Sequence, residues 1–156
     1  MKTQIYNHRN GIKIVPDDVI NGLIEVIHNT HPQIRTNCAR DIRNEMYDQL
    51  FKMGWSGEMR LDSESHITLA SYLQGVGLCI QTGNAARIYA DLLKMQALFV
   101  KGSITSGIIV VPLNETAKKM GKGMATYERL LRELPIFSQV ITMPIIVIGF
   151  EGEETL

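Results

Sequence analysis

The chain has 156 residues with 45% hydrophobic and 21% charged content, which is typical of one globular domain with a buried core. Its 16 Lys and Arg residues balance its 16 Asp and Glu residues, so no overall charge draws it to nucleic acid, and an anionic partner must meet a local patch. The two cysteines lack zinc-binding spacing, and no apolar run reaches the roughly eighteen residues that a membrane span needs. We therefore expect a cytoplasmic protein that does not associate with membranes.

The first part of the sequence predicts an arm and two helices. Asn10-Gly11 separates two short β-prone runs, which predicts a hairpin or an extended arm over residues 1–15. Apolar residues at i, i+3, i+4 and i+7 from Ile20 then predict a helix over about 17–28. A second helix is expected over about 36–53, because its apolar stripe is followed by a glycine suited to ending a helix.

The middle of the chain predicts strands and the longest helix. Residues 58–67 predict an extended segment with a turn near Asp62. The short apolar run from Val76 to Ile80, between glycines, predicts a buried strand that ends at Gln81. An amphipathic helix is expected to follow, over residues 83–101.

The last third alternates strands and helices. Residues 106–113 predict a central strand, helical segments are expected at 114–120 and 125–134, and 140–150 predict the last strand. Strands that are reached through a helix are expected to run parallel, with right-handed crossovers. The element order predicts one α/β domain over all 156 residues, with a mixed sheet flanked by helices and a frayed acidic tail from residue 151.

Polar residues cluster against the predicted strands between Leu61 and Lys101. Asp62 and Glu64 precede the Val76–Ile80 strand, and Gln81 follows it. With its helices and later strands, this order resembles the PD-(D/E)xK nuclease fold, and within it type II restriction endonucleases of the BglII and BamHI kind. The resemblance covers about residues 17–150 and is carried by these segments: a helix ending in Gly54-Trp55, NAARIYADLLKMQALF, IIVVP, TYERLLRELPIF and PIIVIGF.

The resemblance implies a restriction-endonuclease-like core and a homodimer that hydrolyses phosphodiester bonds in double-stranded DNA with Mg²⁺, or with Mn²⁺ as a substitute. In that group an Asp ends one strand, and the next strand carries Glu-x-Gln or Glu-x-Glu. Matched by position, Asp62 is the metal carboxylate, the Ile80 carbonyl is a further metal ligand, and Gln81 orients water or phosphate. Cys79 stands where the group has its second carboxylate.

Cys79 makes this metal site incomplete, since a neutral thiol is a poor ligand for Mg²⁺. Glu64, two residues beyond Asp62, and Glu45 on the second predicted helix are the candidates to supply the missing carboxylate, and Asp91 is a weaker one. The alternative is that Cys79 is a small core residue, while Asp62 and Glu64 are surface turn residues.

Cations near the predicted site are candidates for contacts with DNA phosphates. One group shares the start of the second helix, another precedes a later helix, and one lysine lies on the helix after Gln81. The alternative is that they are solvated surface charges. The residues are Arg35, Arg40 and Arg43, then Lys118, Lys119 and Lys122, and finally Lys94.

Three functions are therefore open from the sequence. The first is a Mg²⁺-dependent DNA endonuclease of the restriction type. The second is a nuclease-like DNA-binding protein with impaired catalysis, which Cys79 and the short chain favour. The third is a small α/β interaction protein that shares only the fold.

Overall fold

A computed structural model describes residues 1–152, in which the apolar runs form strands and the amphipathic segments form helices. The strands are β1 (Lys2–His8), β2 (Met59–Arg60), β3 (Thr68–Leu69), β4 (Ser71–Leu73), β5 (Val76–Ile80), β6 (Ser106–Pro112) and β7 (Ile145–Glu151). The helices are α1 (Gly11–Ile14), α2 (Asp17–Asn29), α3 (Ala39–Lys52), α4 (Arg87–Val100), α5 (Asn114–Met120) and α6 (Tyr127–Glu133), and a 3-10 helix (Leu134–Phe137) follows α6.

Five of the strands form one mixed sheet in the order β1-β7-β6-β5-β4. The central strands β5, β6 and β7 are parallel, while β1 and β4 pair antiparallel at the two edges. β2 and β3 form a separate small antiparallel pair. This arrangement confirms the predicted α/β class, the mixed sheet, and the parallel late strands.

Helices cover both faces of the sheet, so the central strands are buried on both sides. The core on one face joins β5, β6 and β7 to α2 and α3, through residues such as Leu78, Ile108, Leu23 and Met46. The core on the other face joins the same strands to α4 and α6, through residues such as Ile109, Val147, Leu92 and Leu130. The end of β5 therefore lies between α3 on one face and α4 on the other.

The predicted N-terminal hairpin is wrong. Residues 2–8 form a single edge strand that pairs with β7, from Lys2 opposite Glu151 to His8 opposite Ile145. The chain then turns into α1 at Gly11, where an added Cβ would lie 2.5 Å from the backbone carbonyl carbon of Ile145. Gly11 thus permits close contact with β7, which explains the glycine without a hairpin.

Several helix and strand ends also differ from those predicted. α4 begins at Arg87, and β7 begins at Ile145, directly after Pro144. Gly54 ends the α3 region as predicted, with a positive φ of 97°. Glu151 belongs to β7, and residues 153–156 of the predicted frayed tail lie outside the described residues. Across residues 1–152, none of the helices combines the length and the apolar character required to cross a bilayer.

Candidate active site

A cavity of about 340 Å³ opens at the carboxyl end of β5. In sheets with parallel strands, this end is the usual place for a ligand. Its lining comes from α3, the end of β5, α4, and the segments around β2 and β3. The residues are Arg43, Asn44 and Tyr47; Cys79, Ile80 and Gln81; Asp91 and Lys94; and Glu58, Thr68 and Ala70.

Tyr47 holds the end of β5 against α3. The backbone N–H of Ile80 donates a hydrogen bond of 3.0 Å to the Tyr47 hydroxyl. Burial raises the pKa of Tyr47 above its ordinary value, so the hydroxyl stays protonated. The N–H and the carbonyl of one strand residue point to the same side, so the Ile80 carbonyl is directed to the same edge as Tyr47.

Gln81 is buried, and both polar ends of its side chain have partners inside the protein. Its amide nitrogen donates a hydrogen bond of 2.6 Å to the Asp91 carboxylate, and its Oε1 accepts one of 3.0 Å from the backbone N–H of Gly83. Asp91 also lies 3.6 Å from the ammonium group of Lys94. The side chain that was predicted to orient water or phosphate is therefore held by α4.

Cys79 is 4% exposed and belongs to the core beneath α4. Burial, and then the negative charge of Asp91, raise the pKa of its thiol, which is therefore neutral at physiological pH. Ala70, between β3 and β4, comes next to Cys79 in the register, because Ser71 of β4 pairs with Leu78 of β5. Ala70 and Cys79 are thus neighbours on the wall of the cavity.

Asp62 and Glu64 lie elsewhere, in the exposed loop between β2 and β3. The Asp62 carboxylate accepts hydrogen bonds from the backbone N–H groups of Glu64 and Ser65, at 2.8 and 2.6 Å, and these bonds lower its pKa. Both acids line a separate depression formed by residues 62–65, and neither lines the cavity with Gln81. The expected proximity of Asp62 to Gln81 is absent from the described structure, and the metal-binding roles of both acids remain predictions.

Glu45 also lies outside the cavity lining. It is on α3, and its carboxylate accepts a hydrogen bond of 3.4 Å from the backbone N–H of His31. Of the acids considered from the sequence, the weaker candidate Asp91 is the one that lines the cavity beside Gln81. The acid that the sequence ranked lowest as a metal ligand is therefore the one that lies in the cavity.

The predicted DNA-contacting cations separate into three places. Arg43 and Lys94 line the cavity, whereas Arg35 pairs with Asp41 at 3.4 Å on the surface. Arg40 and Lys119 are exposed. A second depression, of about 330 Å³, is lined in part by Lys118 and Lys122, and Lys118 also pairs with Glu115 at 2.5 Å.

The cavity also contains residues that the sequence did not single out. Tyr47 follows Arg43 by four residues on α3, and this helical spacing was a usable signal that they share a face. Ala70 and Thr68 carried no signal, because small residues near a strand suggest no chemistry. Within residues 1–152, no group of three or more His, Cys, Asp or Glu side chains is placed to hold a metal ion.

A model of the family described as restriction endonuclease BglII/BglIII matches residues 3–150. The chain belongs to this family. No curated protein sequence matches it. The match confirms the predicted family, and the family and the α/β fold together support the predicted class of enzyme, the DNA endonucleases, which are hydrolases. Membership of the BglII family also suggests dependence on a divalent metal.

Two solved structures share the fold of this BglII family member. A crystal structure of restriction endonuclease BglII complexed with a DNA 16-mer matches with a TM-score of 0.86 and 14% identity, covering 99% of this chain and 79% of that chain. A crystal structure of free BglII matches with a TM-score of 0.76 and 16% identity, covering 99% of this chain and 82% of that chain. The restriction-endonuclease-like fold predicted from the sequence is confirmed.

Proposed function

We propose that the protein binds double-stranded DNA in the manner of a type II restriction endonuclease, with one backbone phosphate at the β5 cavity, and that its hydrolytic step is impaired. The observation that carries this proposal is the lining of the cavity. The cavity lies at the carboxyl end of β5 and has the cations of a phosphodiester site, while the acid beside Gln81, Asp91, is engaged inside the protein. The DNA in the complex of BglII supports the choice of ligand.

Arg43 and Lys94 provide the phosphate contacts in this proposal. They approach the cavity from α3 and α4, on opposite sides of the end of β5. The guanidinium of Arg43 can bind two phosphate oxygens, and Lys94 supplies a point charge. Because the formal charge of the chain is zero, such a local pair is the kind of patch that an anionic ligand requires.

The donors of the cavity do not suit Mg²⁺ as they stand. A hard cation prefers several ionised oxygen ligands, and the lining has two acids, Asp91 and the surface-exposed Glu58. Asp91 already accepts the Gln81 amide and faces Lys94, and Cys79 is a neutral thiol. A divalent metal that lowers the pKa of an attacking water is thus poorly retained, which is why we propose impaired hydrolysis.

The second candidate is an active Mg²⁺-dependent endonuclease that also accepts Mn²⁺. It is favoured by Asp91 and by the carbonyl of Ile80, because Mg²⁺ can be bound through one carboxylate, water and substrate phosphate. Asp62 and Glu64 contribute in this version only if the loop between β2 and β3 moves to the cavity. Glu45 would likewise have to leave its contact with His31.

Two wider features belong to the same proposal. A homodimer is the simplest way for one such chain to meet both strands of a two-fold symmetric DNA site. A cytoplasmic location follows from the same function, since that is where the protein would meet DNA.

A DNA-binding assay and a plasmid-nicking assay test the proposal together. We expect the protein to retard a short duplex in EDTA at low salt, and to leave supercoiled plasmid intact with Mg²⁺ or Mn²⁺. Nicking that disappears in Asp91→Asn would instead support the active endonuclease. No DNA binding at low salt would contradict both versions.

A further inference from the structure

Two neighbouring wall positions of the cavity carry no metal-binding oxygen in their side chains. They are Ala70, on the segment between β3 and β4, and Cys79, in β5. Ser71 of β4 pairs with Leu78 of β5, and this register places Ala70 and Cys79, the next residue on each side, beside each other. Gln81 and Ile80, next along β5, line the same space.

We infer that positions 70 and 79 are the two places at which carboxylates would complete a divalent-metal site with the Ile80 carbonyl, so that the present side chains make the cavity a phosphate site without a metal. This inference rests on the proposed function. It differs from the expectation drawn from the sequence, because Ala70 takes the place that had been assigned to Asp62.

The backbone geometry supports these two positions. The hydrogen bond from Ile80 N–H to Tyr47 directs the Ile80 carbonyl toward the edge of β5 that borders the cavity. Directly opposed residues of an antiparallel strand pair have Cβ atoms about 4.5–5.5 Å apart, and Ala70, just before β4, continues the β4 register opposite Cys79. Carboxylates at 70 and 79 could then approach one cation, and the cavity of about 340 Å³ has room for them.

The charges of the cavity lead to the same conclusion. Its two cations, Arg43 and Lys94, balance its two acids, Glu58 and Asp91, so the lining has no formal excess of negative charge to attract a divalent ion. Two added carboxylates would give the lining a formal charge of two negative units. Such a lining suits a divalent cation, and Arg43 and Lys94 remain to bind phosphate.

The test is to introduce both acids into the 156-residue chain. The variant is Ala70→Asp with Cys79→Glu, and the matched control is Ala70→Asn with Cys79→Gln, which has similar volumes and no new charge. Mn²⁺ affinity is measured by calorimetry, DNA binding by gel shift in EDTA, and strand cleavage by plasmid nicking with Mg²⁺. Water is the only co-reactant that hydrolysis consumes. The water oxygen bonds to phosphorus, one P–O ester bond breaks, and a proton passes to the leaving oxygen.

We expect the double variant to bind Mn²⁺ at least about tenfold more tightly than wild type and than the control, and to nick plasmid, because ligand changes at metal sites commonly have effects of this size or larger. Wild-type protein that binds Mn²⁺ as tightly as the double variant would overturn the inference. So would a folded double variant with the Mn²⁺ affinity of the control.

A variant that fails to fold does not end the test. Circular dichroism identifies that case, and the single variant Ala70→Asp is then compared with Ala70→Asn, since Ala70 is only half-buried. Tighter Mn²⁺ binding by Ala70→Asp supports the inference, and equal binding overturns it. The gel shift separates the two proposals. Wild-type protein that does not bind DNA contradicts the proposed function, whereas the Mn²⁺ affinities of the variants decide whether positions 70 and 79 are metal-ligand positions.

Discussion

The amide nitrogen of Gln81 lies 2.6 Å from the Asp91 carboxylate, which joins the end of β5 to the second turn of α4. The bond is charge-assisted and partly shielded from water, so it is stronger than an ordinary amide contact. It also explains why these two side chains are not free to bind a ligand in the cavity. Gln81 and Asp91, which have the chemistry to bind phosphate and metal, satisfy each other.

This pair should contribute measurably to stability. Asp91→Ala leaves the buried Gln81 amide without its acceptor and removes the partner of Lys94. We expect the free energy of unfolding to fall by about 1–3 kcal/mol in urea titrations. Asp48→Ala, at an exposed position of α3, is the control and should change it by less than about 0.5 kcal/mol. Equal effects of the two substitutions would argue against a structural role for the pair.

Tyr47 should be required to hold the end of β5. Tyr47→Phe removes the acceptor of the Ile80 N–H while keeping the ring, and an unpaired buried N–H costs about 1–3 kcal/mol. Urea unfolding should show this loss. Tyr6→Phe is the matched control, because Tyr6 lies on β1, the edge strand far from β5, and it should change the free energy of unfolding little. If Tyr47→Phe is as stable as wild type, water or another group accepts the bond.

Stability should fall in alkaline solution. Burial raises the pKa of Cys79 above its ordinary 9.0 and that of Tyr47 above its ordinary 10.0. The folded state therefore keeps both protons at pH values where the unfolded chain releases them. The stabilisation is complete below pH 9 and is lost as pH rises, by up to about 1.4 kcal/mol per pH unit for each group.

Removing the thiol checks the sign of this effect. Between pH 9 and 10, the unfolding free energy of Cys79→Ala should decline less steeply than that of wild type, although its value at pH 7 is lower because a buried group is lost. Urea titrations at each pH provide the measurement. A parallel decline in both proteins would show that the Cys79 thiol titrates alike in the folded and unfolded states.

Arg43 should contribute to DNA affinity through charge. Arg43→Ala should weaken binding to a short duplex and reduce the slope of log K against log salt by about 1, independently of sequence. Lys2→Ala, on the exposed edge strand β1, is the control. Fluorescence anisotropy over a range of salt concentrations gives both quantities. If the two variants show the same slope, DNA does not approach the cavity.

The sequence predicted the elements whose patterns are local and strong. The apolar run of β5 and the 3.6-residue period of α4 located the cavity, with Gln81, Cys79 and Lys94 in its lining. The N-terminal hairpin failed because β1 pairs with β7, more than 130 residues away in sequence, and no local pattern encodes such a pairing.

The acids were harder to place, for a physical reason. Asp62 lies in a polar run, which is equally compatible with a site and with a loop, and its carboxylate binds the N–H groups of its own turn. The residue that lies beside Cys79 is Ala70, which gives no chemical signal in a sequence. Position 70 could be recognised as a ligand position only from the fold, which places the segment between β3 and β4 beside β5.

The most direct test of the central claim is a crystal structure of the wild-type protein with a DNA duplex and Mn²⁺, with anomalous scattering used to locate the metal. We predict a phosphate beside Arg43 and Lys94 and no manganese peak in the β5 cavity. A manganese peak at bonding distance from the Asp91 carboxylate and the Ile80 carbonyl, close to the roughly 2.0–2.1 Å of Mg²⁺–oxygen bonds, would contradict the account.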